Sequence, residues 1–253
     1  MSGVGEIGGA GVLAAAAVGL VTGSFLNLCA DRLPRGESLL WPRSHCEGCG
    51  RSLGVWDLLP VLSFVLSRGR CRYCGRALPW RYPAVEAATA LLFALLALKY
   101  GLAPAGAHLA LFAALLVLIF VLDLEGGYIP DLLTLPGMAL GVGGGGAVAL
   151  LTSGAAGVLP AVKGALLGLL AGGGSLFCLR LASRGGVGWG DVKLLGMIGA
   201  FLGWPGALLV LFGAALAGSL VGLAGIAAGR LRWRDPLPFG PFLSTAALLF
   251  VLL

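Results

Sequence analysis

The residues best suited to chemistry in this chain are two aspartates, Asp123 and Asp191, set in otherwise apolar sequence. Asp123 ends the apolar run 109–122, and Asp191 ends the segment 188–191, which reads Gly-Trp-Gly-Asp. A carboxylate in a membrane segment is costly unless it faces water or a partner, so each aspartate is a candidate functional residue. An N-capping role at the start of the next helix is the alternative for Asp191.

Two carboxylates at the same membrane depth form a candidate catalytic dyad. Close carboxylates cannot both ionise cheaply, so one holds a proton while the other stays charged, and the pair titrates as a unit. The charged partner can activate a water for attack on a carbonyl, and the protonated partner can polarise that carbonyl and protonate the leaving amine. The sequence does not assign the two roles to Asp123 and Asp191.

Four cysteines form the second candidate site. They occur as two Cys-x-x-Cys pairs in the polar segment 31–82, at Cys46, Cys49, Cys71 and Cys74. The two-residue spacing lets both thiolates of a pair bind one ion, and four thiolates complete a tetrahedral zinc site without an open position for water. We therefore expect structural zinc. Two disulfides or four free thiols are the alternatives, and a reducing cytosol would disfavour the disulfides.

The composition is that of a polytopic membrane protein. Hydrophobic residues make up 58% of the chain and charged residues 11%, whereas soluble domains have about 25% charged residues. We predict an all-α fold of about eight transmembrane helices with a small cytosolic zinc-binding loop module. The span 192–204 is short, and it is either a tilted helix, a re-entrant segment or the start of a kinked element. The predicted spans are 8–30, 83–101, 105–124, 132–152, 158–182, 192–204, 206–228 and 239–253.

Basic residues predict the orientation. Arginines crowd the 31–82 connection, and more basic residues lie within 180–193 and 230–234, on the same side if all eight spans cross. The positive-inside rule places this side in the cytoplasm. A nucleic-acid surface is the alternative explanation, but aromatic residues are not regularly interleaved with the arginines, so we expect membrane lipid and no nucleic acid as partners.

Five segments, in sequence order, resemble the type IV prepilin leader peptidases, a polytopic family of GxGD-type aspartic proteases. The resemblance covers nearly the whole chain. Its segments are 23–34 at the end of the first span, the two cysteine pairs with 81–86, Asp123 with 129–136, 188–194, and 238–243.

The resemblance implies three domains: a first transmembrane helix (1–30), a cytosolic zinc module (31–82) and a membrane aspartic peptidase domain (83–253). It implies that Asp123 and Asp191 cleave the short basic leader of prepilins or pseudopilins, at the cytoplasmic face of the inner membrane. The family often methylates the new N-terminus with S-adenosylmethionine, and Glu86 is the acid we expect on the cofactor side; a helix-start charge is the alternative. The sequence indicates no oligomeric state.

Two other functions compete with this interpretation. A transporter or channel could use the zinc module to regulate a gate and the two aspartates to bind ions, but internal repeats with matching broken helices would be expected and the sequence has none. A presenilin-type intramembrane protease is the other alternative. The zinc module and the segment 238–241 favour the prepilin branch.

Overall fold

The computed structural model describes residues 8–184, 186–232, 235 and 237–253. The first seven residues of the predicted first domain and part of the basic connection 230–234 lie outside the described residues. The described chain is almost entirely helical, with two isolated β-bridges and no strand. It forms two compact units, Met1–Gly106 and Ala107–Leu253.

The first unit contains two long apolar helices, α1 (Gly9–Arg32) and α3 (Arg81–Tyr100), and a short helix α2 (Leu62–Leu66) in the polar segment between them. Glycines allow α1 and α3 to approach closely, because a Cβ added at Gly19 or Gly23 would lie 2.7 Å from α3 backbone atoms. Small residues at such crossings are typical of helix packing in membranes.

The second unit contains most of α4 (Pro104–Gly126) and all of α5 (Asp131–Ser153), α6 (Ala155–Ala182), α7 (Trp189–Ala227) and α8 (Gly240–Leu252). Helix α4 supplies much of the core, since Phe112, Leu116 and Ile119 have no solvent exposure. Glycine also permits close packing here: a Cβ at Gly168 of α6 would lie 2.0 Å from the carbonyl oxygen of Gly199 in α7.

Helix α7 reverses direction at Gly203, where the backbone is non-helical with φ 73° and ψ 176°. This positive φ favours glycine. A Cβ at Gly172 of α6 would lie close to both Leu195 and Ala207, so the two limbs of α7 pass the same point. The second limb then runs antiparallel to α8, because Gly206 lies near Phe250, Gly213 near Ala246 and Gly218 near Phe242.

The predicted all-α membrane fold is confirmed. Six of the described helices, including α7, are long and apolar enough to cross a membrane by length and composition. Two limbs in α7 and the shorter α8 bring the apolar helical segments of the described chain to eight. The short predicted span 192–204 corresponds to the first limb of α7, so the kinked element is the correct alternative among those considered.

Candidate active site and metal centre

Asp123 lies in the last turn of α4 and is 6% exposed. Its Oδ2 accepts a hydrogen bond of 2.9 Å from the backbone N–H of Gly240, the first residue of α8. The N-terminal end of a helix carries a partial positive charge, which favours a carboxylate there. A Cβ at Gly240 would lie 2.6 Å from this oxygen, so only glycine lets the α8 backbone come so close.

Asp191 is the third residue of α7, and Gly188 is the N-cap. The carboxylate of Asp191 interacts with the backbone N–H of Gly188. An acid at this position that reaches back to the N-cap N–H forms half of a capping box. The N-cap role considered from the sequence therefore belongs to Gly188. Asp191 adds a helix-starting contact while part of its side chain stays exposed.

Ile129, in the connection between α4 and α5, contacts the backbone beside both aspartates. A Cβ at Gly190 would lie 2.9 Å from Ile129 Cβ, and a Cβ at Gly240 would lie 3.1 Å from Ile129 Cδ1. The charge of Asp123 also acts on Asp191. The structure thus brings the two predicted aspartates, 68 positions apart in sequence, into one site.

An ion pair between Lys193 and Asp131 joins α7 to α5. Lys193 is two residues after Asp191, and Asp131 is two residues after Ile129. Lys193 Nζ, in the first turns of α7, lies 2.6 Å and 2.7 Å from the two carboxylate oxygens of Asp131, the first residue of α5. Both side chains are partly exposed. Asp131 therefore joins the start of α5 to α7.

The two cysteine pairs fold as matching turns. The N–H of Cys46 donates to the carbonyl of Arg51, and the N–H of Cys71 donates to that of Arg76, five residues ahead in both cases. Each turn continues with a glycine of positive φ, and each is closed by an isolated β-bridge. The repeat places the two pairs in the same local geometry; its glycines are Gly50 and Gly75.

The four sulfur atoms lie within 4.8 Å of one another and could hold a metal ion. Cys46 Sγ and Cys74 Sγ are 3.8 Å apart, which is about the separation of two sulfurs at roughly 2.3 Å from a tetrahedral zinc. All six cysteines are free, and neither Cys29 nor Cys178 belongs to the cluster. Backbone N–H groups of Gly48 and Cys49 lower the pKa of Cys46 to about 6, whereas burial and the neighbouring thiols raise the pKa of Cys74 to about 11, so Cys46 ionises more readily than Cys74.

Glu86 lies in the second turn of α3 and is 7% exposed. Its Oε2 accepts a 2.6 Å hydrogen bond from the backbone N–H of Val61, and the hydroxyl of Ser24 also bonds to this carboxylate. Glu86 lines a cavity of about 630 Å³ within the first unit, between the end of α1, the cysteine-bearing segment and the start of α3. Val61 has a positive φ of 59°, which is rare for a β-branched residue.

Two family models match the chain in sequence order. Residues 17–100 match the bacterial peptidase A24 N-terminal domain, and residues 110–223 match the type IV leader peptidase family. The chain is 37% identical over 267 residues to a prepilin leader peptidase/N-methyltransferase of Burkholderia pseudomallei strain 1026b. The alignment covers 92% of this chain and 83% of the relative. The chain belongs to the type IV leader peptidase family.

Other relatives in this family carry the same name. The Bacillus subtilis strain 168 protein is 35% identical over 234 residues, covering 91% of this chain and 90% of the relative. The Pseudomonas aeruginosa strain PAO1 protein is 31% identical over 264 residues, covering 93% and 88%. No solved structure matches the chain. The N-terminal family domain contains the cysteine cluster and Glu86, and the leader peptidase domain contains both aspartates.

Sequence reasoning missed three features of these sites. It did not predict the contacts of Ile129, the ion pair of Asp131 or the hydrogen bond that Asp123 accepts. A signal existed for the last of these, because the segment 238–243 was part of the family resemblance and contains Gly240. The segment contributes a backbone N–H to Asp123. A backbone donor cannot be recognised from the type of the residue that carries it.

Proposed function

We propose that this protein is a membrane aspartic endopeptidase that removes the short basic leader from type IV prepilins or pseudopilins and then N-methylates the new N-terminus. The observation that carries the peptidase activity is the convergence of Asp123 and Asp191 around Ile129. Family membership and the names of the relatives support the same conclusion and give no support to the transporter alternative.

Cleavage would use the two acids as a pair with one shared proton. The ionised acid activates a water to attack the scissile carbonyl, and the protonated acid polarises that carbonyl and protonates the leaving amine. The N–H of Gly240 holds one oxygen of Asp123 in place. A donor fixed by the backbone orients the acid before the substrate arrives, which lowers the cost of organising the site.

The site would face the cytoplasm and act on a substrate anchored in the inner membrane. The basic bias of the connections supports this orientation through the positive-inside rule. A basic leader is repelled by the arginine-rich segment, so recognition would depend on the apolar helix of the substrate and on the acidic dyad. Cleavage would then release a new N-terminal amine at the same face.

The N-terminal family domain would supply the second activity and a structural zinc. Zinc at Cys46, Cys49, Cys71 and Cys74 would supply much of the folding free energy of a segment too small for a large core. S-adenosylmethionine would supply an activated methyl group, and Glu86 is the buried acid of this domain that lines a cavity. The acceptor oxygens in that cavity fit a cationic co-substrate.

Substitution of the dyad tests the peptidase. Asp123→Asn and Asp191→Asn should each abolish cleavage of a prepilin in isolated membranes at unchanged protein level, because an amide can neither accept the proton nor activate water. Asp131→Asn is the matched control and should retain most activity, since that carboxylate pairs with Lys193 and lies outside the dyad. Cleavage near the wild-type rate by either dyad variant would exclude the paired-acid mechanism.

A further inference from the structure

A short apolar stretch interrupts the polar segment between α1 and α3. It runs from Val55 to Leu66 and reads Val-Trp-Asp-Leu-Leu-Pro-Val-Leu-Ser-Phe-Val-Leu, with Asp57 as its only charged residue. It folds as a 3₁₀-helix, Val55–Leu58, followed by α2. This stretch contains neither an aspartate of the dyad nor a cysteine of the metal centre, so its composition needs another explanation.

Helix α2 has serines on its inner side and aliphatic side chains on its outer side. Ser63 and Ser67, one turn apart, line the cavity of the first unit. Leu62, Val65 and Leu66 do not line it and are exposed. A helix on a water-covered surface has its polar residues outside and its apolar residues inside. The outer side of α2 therefore fits an apolar environment.

The exposed apolar surface extends beyond α2. The 3₁₀-helix contacts α2, and the ring of Trp80 packs against Phe64 of α2 with the ring centroids 4.9 Å apart. Contiguous apolar surfaces are uncommon on soluble domains and mark sites of interaction with protein or membrane. We call the outward side chains the apolar face; each is between 51% and 78% exposed, and they are Val55, Trp56, Leu62, Val65, Leu66 and Trp80.

The depth of this stretch along α3 indicates what covers the apolar face. The N–H of Val61, the residue before α2, donates a 2.6 Å hydrogen bond to Glu86. Helix α3 begins at Arg81, so Glu86 lies about 7.5 Å along the helix axis at 1.5 Å per residue. Helix α3 is long and apolar enough to cross a membrane. The start of α2 is therefore level with the second turn of a membrane helix.

Charged residues mark the polar boundary at this end of the two membrane helices. Arg81 at the start of α3 pairs with Asp31, and Arg32 is the last residue of α1. Interfacial segments bury their apolar side roughly 5–10 Å into the boundary between headgroups and acyl chains. The offset of Val61 from the charged boundary lies in this range, so the outer side of α2 is at the depth of lipid.

We propose that the apolar face lies in the membrane interface, inserted among the lipids that surround α3. Tryptophan is enriched at this depth of a membrane, and the apolar face contains two. The exposed Arg68, which follows α2, supplies the positive charge that attracts anionic headgroups. The chain thus has an interfacial element besides its spanning helices. Because α2 lines the cavity on its inner side, lipid supports one wall of that cavity.

Fluorescence quenching by lipid tests the position of Trp56. The purified full chain is reconstituted into vesicles of phosphatidylcholine and phosphatidylglycerol that carry bromine either near the headgroup end of the acyl chains or at the bilayer centre. The difference between wild type and Trp56→Phe gives the emission of Trp56. We expect this emission to be quenched, and more strongly by the shallow bromines. An unquenched Trp56 would place the face in water or against a second copy and would overturn the proposal, as would stronger quenching from the bilayer centre.

A charge placed on the outer side of α2 gives a second, independent measurement. Val65→Asp should lower the thermal midpoint in the same vesicles by several degrees, because a carboxylate is costly among lipids. Val65→Thr is the matched control and should change the midpoint little, since threonine keeps the branched shape and has a helix propensity similar to that of aspartate. Equal midpoints for the two variants would show that residue 65 faces water and would overturn the proposal. Neither measurement depends on peptidase or methyltransferase activity.

Discussion

Gly240→Ala should disable the peptidase through one methyl group. The added Cβ would lie 2.6 Å from Oδ2 of Asp123 and 3.1 Å from its Cγ, whereas ordinary contacts begin near 3.4 Å. The alanine keeps the backbone N–H that donates to Asp123, and φ at residue 240 is not positive, so the helix itself tolerates it. The effect is therefore a displacement of the carboxylate.

The size of the effect follows from that displacement. To reach 3.4 Å from 2.6 Å, the methyl group and the carboxylate must separate by about 0.8 Å. A misplacement near 1 Å in a catalytic group can cost roughly 10²-fold in rate. We expect kcat for prepilin cleavage to fall by about that factor with KM little changed, because the displaced acid acts in the transition state rather than in docking.

The assay is cleavage of a purified prepilin in detergent, followed by gel shift over a range of substrate concentrations. Gly222→Ala, in the second limb of α7, is the matched control, since its Cβ would meet nothing within 4 Å and alanine is the better helix former there. The control should cleave within about twofold of the wild type, as surface substitutions usually have small effects. A wild-type kcat in the Gly240→Ala variant would show that catalysis does not depend on the position of the Asp123 carboxylate seen in this structure.

Three further variants test other contacts. Gly168→Ala should lower the thermal midpoint sharply or abolish membrane accumulation, because its Cβ would lie 2.0 Å from a carbonyl oxygen of α7; fluorescence size-exclusion chromatography measures both, and a stable variant would contradict the packing. Lys193→Ala should reduce cleavage by less than about tenfold and by less still in high salt, because a partly exposed ion pair contributes only about 0–1 kcal/mol. Elemental analysis should find about one zinc per chain in the wild-type protein and far less in the double variant Cys71→Ser/Cys74→Ser. Equal zinc contents in the two proteins would exclude the four-cysteine site.

Features that depend on local sequence could be predicted. Apolar runs define membrane helices because every buried backbone group in lipid must bond within its own segment. The short run 192–204 left a tilted helix, a re-entrant segment and a kinked element as alternatives, and the structure places the kink at Gly203. Two Cys-x-x-Cys pairs likewise predicted a four-sulfur cluster, because each pair forms its own turn from local hydrogen bonds.

Features that depend on long-range packing could not be predicted. The hydrogen bond from Gly240 to Asp123 spans 117 positions, and the one from Asn27 to Tyr82 spans 55. In a chain with 44 glycines, no single glycine is distinguished until its neighbours are known. The buried Oδ1 of Asn27 has no hydrogen-bond partner among the described residues. It is even harder to predict, because whether a buried atom finds a partner depends on the folded packing around it.

Each unit holds a buried acid in the same physical way. The N–H of Val61 donates to Glu86 and the N–H of Gly240 donates to Asp123, both from segments distant in sequence. A glycine makes each arrangement possible, because a Cβ at Gly23 would lie 2.7 Å from Glu86 Cα and one at Gly240 would strike Asp123. A side-chain donor can rotate away from a carboxylate, whereas a backbone donor moves only with its helix or loop. Glycine at these contacts provides no side-chain packing. It does allow the folded backbone to fix the position of each acid.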